Sequence, residues 1–324
     1  MVWVQLPVSI SQSNNWKNMK QFCSLFCLAL ILLQVGCGSP TEDGTAVSDV
    51  GVRDTESSST AKMPVEEVKP ENSSPAELQE KNDEQGWGHL SGQIFVEGGV
   101  PPAARIVLGP NNNGCFKNGQ QLPANEDLVV GKDGGLRDAF VMMYLKRGED
   151  RPSIHPEYAA ENLKPVLLDN KNCVFAPHAM IIRVGQKLQM KNSDEVGHNC
   201  HGIFFKDEYN YNIPIGETVE HEFKESEKVP GNVVCDIHPW MNAVMLIREE
   251  PYAAITDELG KFQIKNIPAG KWTFQFWHKK VGYMRDLKVP GVKLGRRGEV
   301  EVEIKDNENL DLGKLLIEAD ELSN

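Results

Sequence analysis

The chain has 324 residues, 40% of them hydrophobic, so it is long enough for one to three domains with real cores. Its formal net charge of −12 argues against nucleic acid or an anionic membrane surface as an electrostatic partner. Much of that charge is local, because residues 38–85 hold twelve Asp and Glu against four Lys and Arg, a net −8. Seven cysteines are too few for a disulfide scaffold in a chain of this length.

The N-terminal segment, residues 1–37, is typical of an export signal. Met19, a candidate true start, is followed by a lysine and by the apolar run 22–35, which is short for a membrane span. The run ends in residues 33–37 (LQVGC), which resemble a bacterial lipobox and imply a lipid anchor at Cys37, although the glutamine departs from the usual pattern. Cleavage by a general signal peptidase and an uncleaved anchor are the alternatives. All three predict an exported protein of the periplasm or cell envelope.

Residues 38–85 have the composition of a flexible tether. They are rich in Ser, Thr, Glu, Asp and Pro and contain hardly an aromatic or long apolar side chain. Such a segment cannot bury enough surface to order itself, so we predict a disordered acidic linker.

From Trp87 onward the pattern is typical of an all-β protein, with short alternating runs separated by Gly, Pro, Asn and Asp turns. No long amphipathic helix and no fixed-period repeat is visible in the sequence. The predicted strands lie at 90–96, 139–145, 180–184, 187–190, 219–223, 233–235, 244–247, 262–264, 272–276 and 300–304.

Residues 233–241 (VVCDIHPWM) bring together three kinds of metal ligand at spacings of three. Cys235 offers the soft thiolate that selects copper, His238 an imidazole, and Met241 a thioether of the kind used as a weak axial ligand. The second imidazole that such a site needs has to come from elsewhere, and His198 offers it. We therefore predict one copper ion held by these four side chains.

This stretch closely resembles the ligand loop of amicyanin, which has the pattern Cys-x-x-His-Pro-aromatic-Met. Residues 184–199 are similar to the plastocyanin–amicyanin stretch that leads to the first ligand histidine. The resemblance covers about 166–250 and implies a cupredoxin domain, a Greek-key β-sandwich or barrel with one type 1 (blue) copper. It also implies that Asn199 hydrogen-bonds across to the second loop.

Two other side chains compete for ligand roles. His201 could replace His198, but the asparagine after His198 favours His198, and Met245 falls in a predicted strand and is expected in the core. The alternative for the whole set is a zinc site, or a buried Cys235 beside unrelated histidines. A structural zinc site would usually have more thiolates.

The other cysteines of the predicted fold are assigned by their surroundings. Cys115 and Cys173 lie in polar turns, and we predict that they form a disulfide in an exported compartment. Cys200 is expected to be a buried small residue. His178 is expected at the surface or at a strand end, without a ligand role.

The flanking segments resemble a second family. Residues 256–262 (TDELGKF) and 268–272 (PAGKW) are similar to the carboxypeptidase regulatory-like (transthyretin-like) β-sandwich, so 251–318 is predicted as such a domain, in a scaffolding or partner-contact role. Residues 86–165 are predicted to pack on the copper domain. Because their first strand also resembles that sandwich, the alternative is a copper domain inserted in a split sandwich. His278 could then touch the copper domain or merely cap a strand.

The sequence thus predicts an electron carrier and not an enzyme. A type 1 site would shuttle one electron between redox proteins such as a dehydrogenase and a cytochrome. Multicopper oxidases need several H-x-H pairs and copper nitrite reductases a second, all-His site, and neither pattern occurs. A periplasmic copper-handling protein is a further alternative, although Met- or His-rich tracts are absent. The last alternative is a structural lipoprotein with a β-sandwich interaction module.

Overall fold

A computed structural model describes residues 85–99, 105–106, 108, 114–116, 122–160 and 163–323. All of them belong to one unit that spans residues 69–324. The predicted signal peptide and acidic linker lie outside the described residues, apart from Gln85. In the described part of the chain, no helix has both the length and the apolar character needed to span a membrane.

The described chain is all-β, as predicted. Its strands, in chain order, are β1 (Trp87–Glu97), β2 (Phe140–Tyr144), β3 (Val166–Lys171), β4 (Val174–Ala176), β5 (Ala179–Arg183), β6 (Lys187–Asn192), β7 (His198–Ile203), β8 (Tyr209–Ile213), β9 (Thr218–Glu222), β10 (Gly231–Val234), β11 (Asn242–Arg248), β12 (Ala253–Ile255), β13 (Lys261–Pro268), β14 (Gly270–His278), β15 (Gly282–Tyr283), β16 (Glu299–Ile304) and β17 (Asn309–Glu318). Short 3-10 helices span Pro156–Tyr158 and Ala319–Ser323. The second of these buries Leu322 in the core of the described chain.

Strands β3 to β11 form two sheets that share one core. One sheet has the order β5-β11-β10-β7-β8 and the other β4-β3-β6-β9. The alternation in β6 illustrates the cause, because Leu188 and Met190 are buried while Lys187 is exposed and Gln189, between them, is half-buried. Leu188 and Met190 pack with Phe175 and Phe223 in the core. We call this part the inner domain.

The remaining strands form a second sandwich. Its first sheet has the order β13-β1-β17, and its second runs β12-β2-β14-β15 with β16 also paired to β14. In β16 the sequence EVEVEI alternates glutamates toward solvent with Val300, Val302 and Ile304 toward the core. That core also contains Leu90 of β1 and Phe274 of β14, so both sheets contribute to it.

The inner domain interrupts the outer sandwich in sequence. β1 pairs with β13 and β17, and β2 pairs with β12 and β14, although β3 to β11 lie between them in the chain. The expectation that 86–165 packs as a whole on 166–250 is therefore corrected for β1, whose buried side chains lie in the sandwich core. The cause is non-local: β1 finds its hydrogen-bonding edges on strands from the far end of the chain.

Part of 86–165 does contact the inner domain. In β2, Val141 and Met143 face the sandwich core, whereas Phe140 and Met142 on the other face pack with residues of the inner domain. β11 has the same property: its sequence AVMLI is buried on both faces, because Val244 and Leu246 contact β2 while the alternate residues face the inner core. Arg248 reinforces the junction, since its Nη2 donates to the carbonyl oxygen of Met143 at 2.7 Å.

Candidate metal centre

The first segment of the site is the turn between β6 and β7. Asn192 pins this turn, because its Nδ2 donates to the carbonyl oxygens of Val196 and Ile213 at 2.8 and 2.9 Å. Its Oδ1 accepts from the backbone N–H of Asp194 at 3.0 Å. The turn delivers His198 as the first residue of β7.

The second segment is the loop between β10 and β11. Its ends are held together by the antiparallel pair Val234 and Asn242. The N–H of Cys235 donates to the carbonyl oxygen of Met241 at 3.1 Å, and the N–H of Met241 donates to that of His238 at 2.8 Å. Two backbone hydrogen bonds in seven residues make this a short closed loop.

The two segments bring three of the four predicted ligands together. The Sγ of Cys235 lies 3.9 Å from Nδ1 of His198 and 3.6 Å from Nδ1 of His238, and the two nitrogens are 2.9 Å apart. All three residues are buried, none more than 1% exposed. We call His198, Cys235 and His238 the inner triad. Met241 is fully buried and packs in the same core cluster as Cys235.

Burial and a carboxylate set the protonation of the triad. Burial lowers the pKa of His198 against the opposing effect of Asp194, whose Oδ2 lies 3.0 Å from Nε2 of His198. Burial raises the pKa of the Cys235 thiol, partly offset by the backbone N–H groups of Asn199, His238 and Ile237 that face it. A neutral imidazole presents a lone pair to a metal, and the ion would displace the thiol proton.

Asn199 connects the two segments, as the sequence predicted. Its Oδ1 accepts from the N–H groups of Asp236 and Ile237 at 2.8 and 3.3 Å, and also from the thiol of Cys235 at 3.3 Å. Its Nδ2 donates to Asp236 Oδ2 and to Asn210 Oδ1, both at 2.8 Å. The ligand loop is therefore tied to β7 by the residue next to His198.

A disulfide lies beside the triad. Cys115 and Cys173 are bonded, as predicted, with their Cα atoms 5.9 Å apart. The carbonyl oxygen of Cys173 accepts a hydrogen bond from Nε1 of Trp240 at 3.0 Å, and the indole packs on Phe116 with ring centroids 5.6 Å apart. The sulfur atoms of this pair and a ring nitrogen of His198 all lie within 4.8 Å of one another.

The competing side chains lie elsewhere. His201 is outside the triad, and its ring nitrogens are each 3.2 Å from a carboxylate oxygen, one of Asp236 and one of Glu208. Met245 is fully buried in the core, as expected. Cys200 is a free buried thiol, also as expected, and burial raises its pKa to about 12.

Of the two positions expected for His178, the strand end is confirmed and the surface is wrong. His178 lies just before β5 but is only 6% exposed, with Nδ1 3.1 Å from Asp138 and Nε2 3.3 Å from Oδ1 of Asn242. The ammonium of Lys279 reaches both Asn242 and Asp127. His278 is buried at the end of β14, where burial lowers its pKa to about 4. These polar contacts join the outer sandwich to Asn242, the residue that follows Met241.

Sequence reasoning missed Asp194. This carboxylate accepts from the N–H groups of Asn172 and Cys173 at 2.6 and 2.9 Å as well as contacting His198. It therefore fixes the imidazole and the disulfide turn at once. Its position four residues before His198 was the available signal, because metal-bound histidines usually hydrogen-bond a carboxylate through the second ring nitrogen.

The donor set fits a soft transition metal. One thiol sulfur and two imidazole nitrogens converge from two hydrogen-bonded segments, in surroundings that exclude water. Thiolate with two imidazoles and a weak thioether is the set that copper uses in blue electron-transfer sites. The residues present therefore fit a copper ion.

No protein-family model and no curated protein matches the chain. Solved structures are similar to a third of it or less. A purple cupredoxin from Nitrosopumilus maritimus is 23% identical over 26% of this chain and 98% of its own, with a TM-score of 0.23. A reduced Cu(I) form of an amicyanin mutant is 18% identical over 30% and 99%, with a TM-score of 0.24. A copper-containing nitrite reductase from Thermus scotoductus SA-01 is 16% identical over 32% of this chain and 25% of the enzyme, with a TM-score of 0.24.

Proposed function

We propose that the protein is a one-electron carrier of the cell envelope with a single type 1 copper ion. The observation that carries the proposal is the inner triad, buried and convergent from two loops. His198, Cys235 and His238 would hold the ion, and Met241 would add a weaker thioether ligand. When bound, copper supplies a reversible Cu(I)/Cu(II) couple.

The protein's own part is to keep the ligands still. Asn199 ties the Cys235 loop to β7, Asp194 orients His198, and the backbone bonds between Cys235, His238 and Met241 close the loop. Ligands held this way need little rearrangement when the charge of the ion changes. Burial of all four side chains keeps water from becoming an additional ligand.

The route for the electron passes through the loop surface. His238 is buried, but its chain neighbours Ile237 and Pro239 are exposed. A buried imidazole flanked in sequence by exposed apolar residues would be a short path to a docked redox protein such as a cytochrome or dehydrogenase. The outer sandwich would serve as scaffold or partner contact, and Cys37 as a lipid attachment point. Nothing in this scheme requires the protein to catalyse a reaction.

A visible spectrum after addition of Cu(II) tests the proposal. An intense thiolate-to-copper charge-transfer band is expected from the full chain. Cys235→Ala should abolish the band, whereas the matched control His201→Ala should retain it. Loss of the band in the His201 variant would overturn the ligand choice. A colourless protein that binds Cu(I) tightly would favour copper handling, and absence of any copper binding would favour a structural role.

A further inference from the structure

The disulfide beside the metal centre has the elements of a second metal site. Cys115, Cys173 and a ring nitrogen of His198 lie within 4.8 Å of one another, so His198 belongs to both this set and the inner triad. We propose that, once the disulfide is reduced, Cys115 and Cys173 together with His198 bind a soft metal ion, with Cu(I) preferred. We call this set the outer triad.

The position of Cys173 does not depend on the disulfide. Its N–H donates to Oδ2 of Asp194 at 2.9 Å, and the same oxygen lies 3.0 Å from Nε2 of His198. Its carbonyl oxygen is bonded to the indole of Trp240 at 3.0 Å. Cys173 also lies in the tight turn between β3 and β4, which is closed by the antiparallel pair Lys171 and Val174. One carboxylate oxygen therefore keeps Cys173 beside His198 after reduction.

Cys115 is held by its neighbour. Phe116 is 6% exposed, belongs to the core of the inner domain and packs on Trp240. Trp240 in turn holds Cys173, so both cysteines are attached to the same indole through contacts that reduction leaves unchanged. Cα atoms 5.9 Å apart suit two thiolates that chelate one ion.

Cys115 is the accessible member of the outer triad. It is half-buried, whereas Cys173 is 3% exposed and each member of the inner triad is at most 1% exposed. A reductant can therefore reach the disulfide at Cys115.

The chemistry balances with an external dithiol as reductant. The dithiol gives two electrons and two protons to the disulfide and becomes a disulfide itself, leaving two thiols at Cys115 and Cys173. Metal binding then releases the two thiol protons. Two thiolates and one imidazole form a soft set that favours Cu(I). In the oxidised protein the bonded sulfurs are no longer thiolates, so only the inner triad can bind.

The test uses the full chain carrying Cys235→Ala, which removes the inner triad. The protein is reduced with a phosphine, desalted without oxygen, and titrated with Cu(I) against a chromogenic chelator. We expect one Cu(I) per chain after reduction and none before it. Adding Cys115→Ser should abolish binding, and adding His198→Ala should weaken it at least about tenfold. Adding Cys200→Ser, which removes the other free thiol of the described chain, should leave it unchanged.

Three results would overturn the proposal: no binding by the reduced protein, binding that survives Cys115→Ser, or loss of the native circular-dichroism spectrum on reduction alone. The last would show that the disulfide and not Asp194 holds the frame. This outcome is separate from the proposed electron-transfer function, whose readout is the Cu(II) charge-transfer band of the oxidised wild-type chain.

Discussion

Replacing Asn199 by alanine tests whether the metal centre is held in shape before any metal binds. The Asn199 carboxamide is 3% exposed and takes part in five hydrogen bonds, four that join β7 to the ligand loop and one to Asn210 of β8. Alanine removes all five while leaving the four proposed ligands in place. The change therefore acts on the frame of the site and not on its donor atoms.

The magnitude follows from the groups that alanine leaves behind. The N–H of Asp236, now 2.8 Å from the amide oxygen, loses its acceptor at a partly buried position, which costs about 1–3 kcal/mol. The bond from Nδ2 to the Asp236 carboxylate adds about 0–1 kcal/mol, because that side chain is 50% exposed. Together these contributions should lower the free energy of unfolding of the metal-free protein by about 1–4 kcal/mol.

Urea unfolding followed by tryptophan fluorescence measures this loss. Asn210→Ala is the matched control. It removes the bond from Asn210 Nδ2 to the same Asp236 carboxylate at 2.9 Å and one acceptor of Asn199 Nδ2, which keeps its bond to Asp236, but it touches no backbone group of the loop. It should cost less than about 1 kcal/mol. Equal losses in the two variants would refute the reasoning, since the loop backbone would then contribute nothing.

Three further changes probe the rest of the fold. Burial opposes protonation of His178, but Asp127 and Asp138 outweigh burial and raise the pKa of His178 from 6.5 to about 8. The protonated imidazole therefore stabilises the folded state fully below pH 6.5, and this stabilisation is lost as the pH rises through 8. Urea unfolding should show up to about 2 kcal/mol lost over that range in the wild type but not in His178→Gln. A Cβ at Gly202 would lie 2.4 Å from the Tyr209 ring, so Gly202→Ala should cost about 1–3 kcal/mol, while Gly197→Ala, with nothing within 4 Å, should be near neutral. Arg248→Met leaves Glu250 buried without its ion-pair partner and should cost about 3–5 kcal/mol; adding Glu250→Leu should recover much of that, and an additive double variant would contradict a coupled pair.

Local patterns predicted most of the strands. β6, β13 and β16 alternate polar and apolar residues, so burial on one face is visible in the sequence itself. The predicted strands do not include β3, β4, β7, β8, β12, β15 and β17. In β17 the alternation is diluted by acidic residues and Gly313, whereas β8 (YNYNI) does alternate and its signal was overlooked. The parallel pairing of β17 with β1 has no local signal at all.

The proposed ligands could be selected from the sequence because three of them share one short loop. The sequence could not show which other side chains surround them in the fold. Asp194 reaches His198 and Cys173 at once only because β3, β4 and β6 lie side by side. The environment of His178 is assembled from three segments distant in sequence, so a histidine after a proline gave no sign of burial.

The pairing of β2 with β12, where Met142 lies opposite Ala253, joins strands that flank the inner domain in sequence. This order affects which parts of the chain can fold during synthesis. A nascent chain leaving the ribosome completes every strand partner of 166–248 before β13 exists, so the inner domain can fold while synthesis continues. β1 is synthesised before the other described strands, yet its Gln93 pairs with Lys261 and Lys314, which are synthesised much later. Until those strands exist, β1 has unpaired backbone groups on both edges, to which a chaperone can bind.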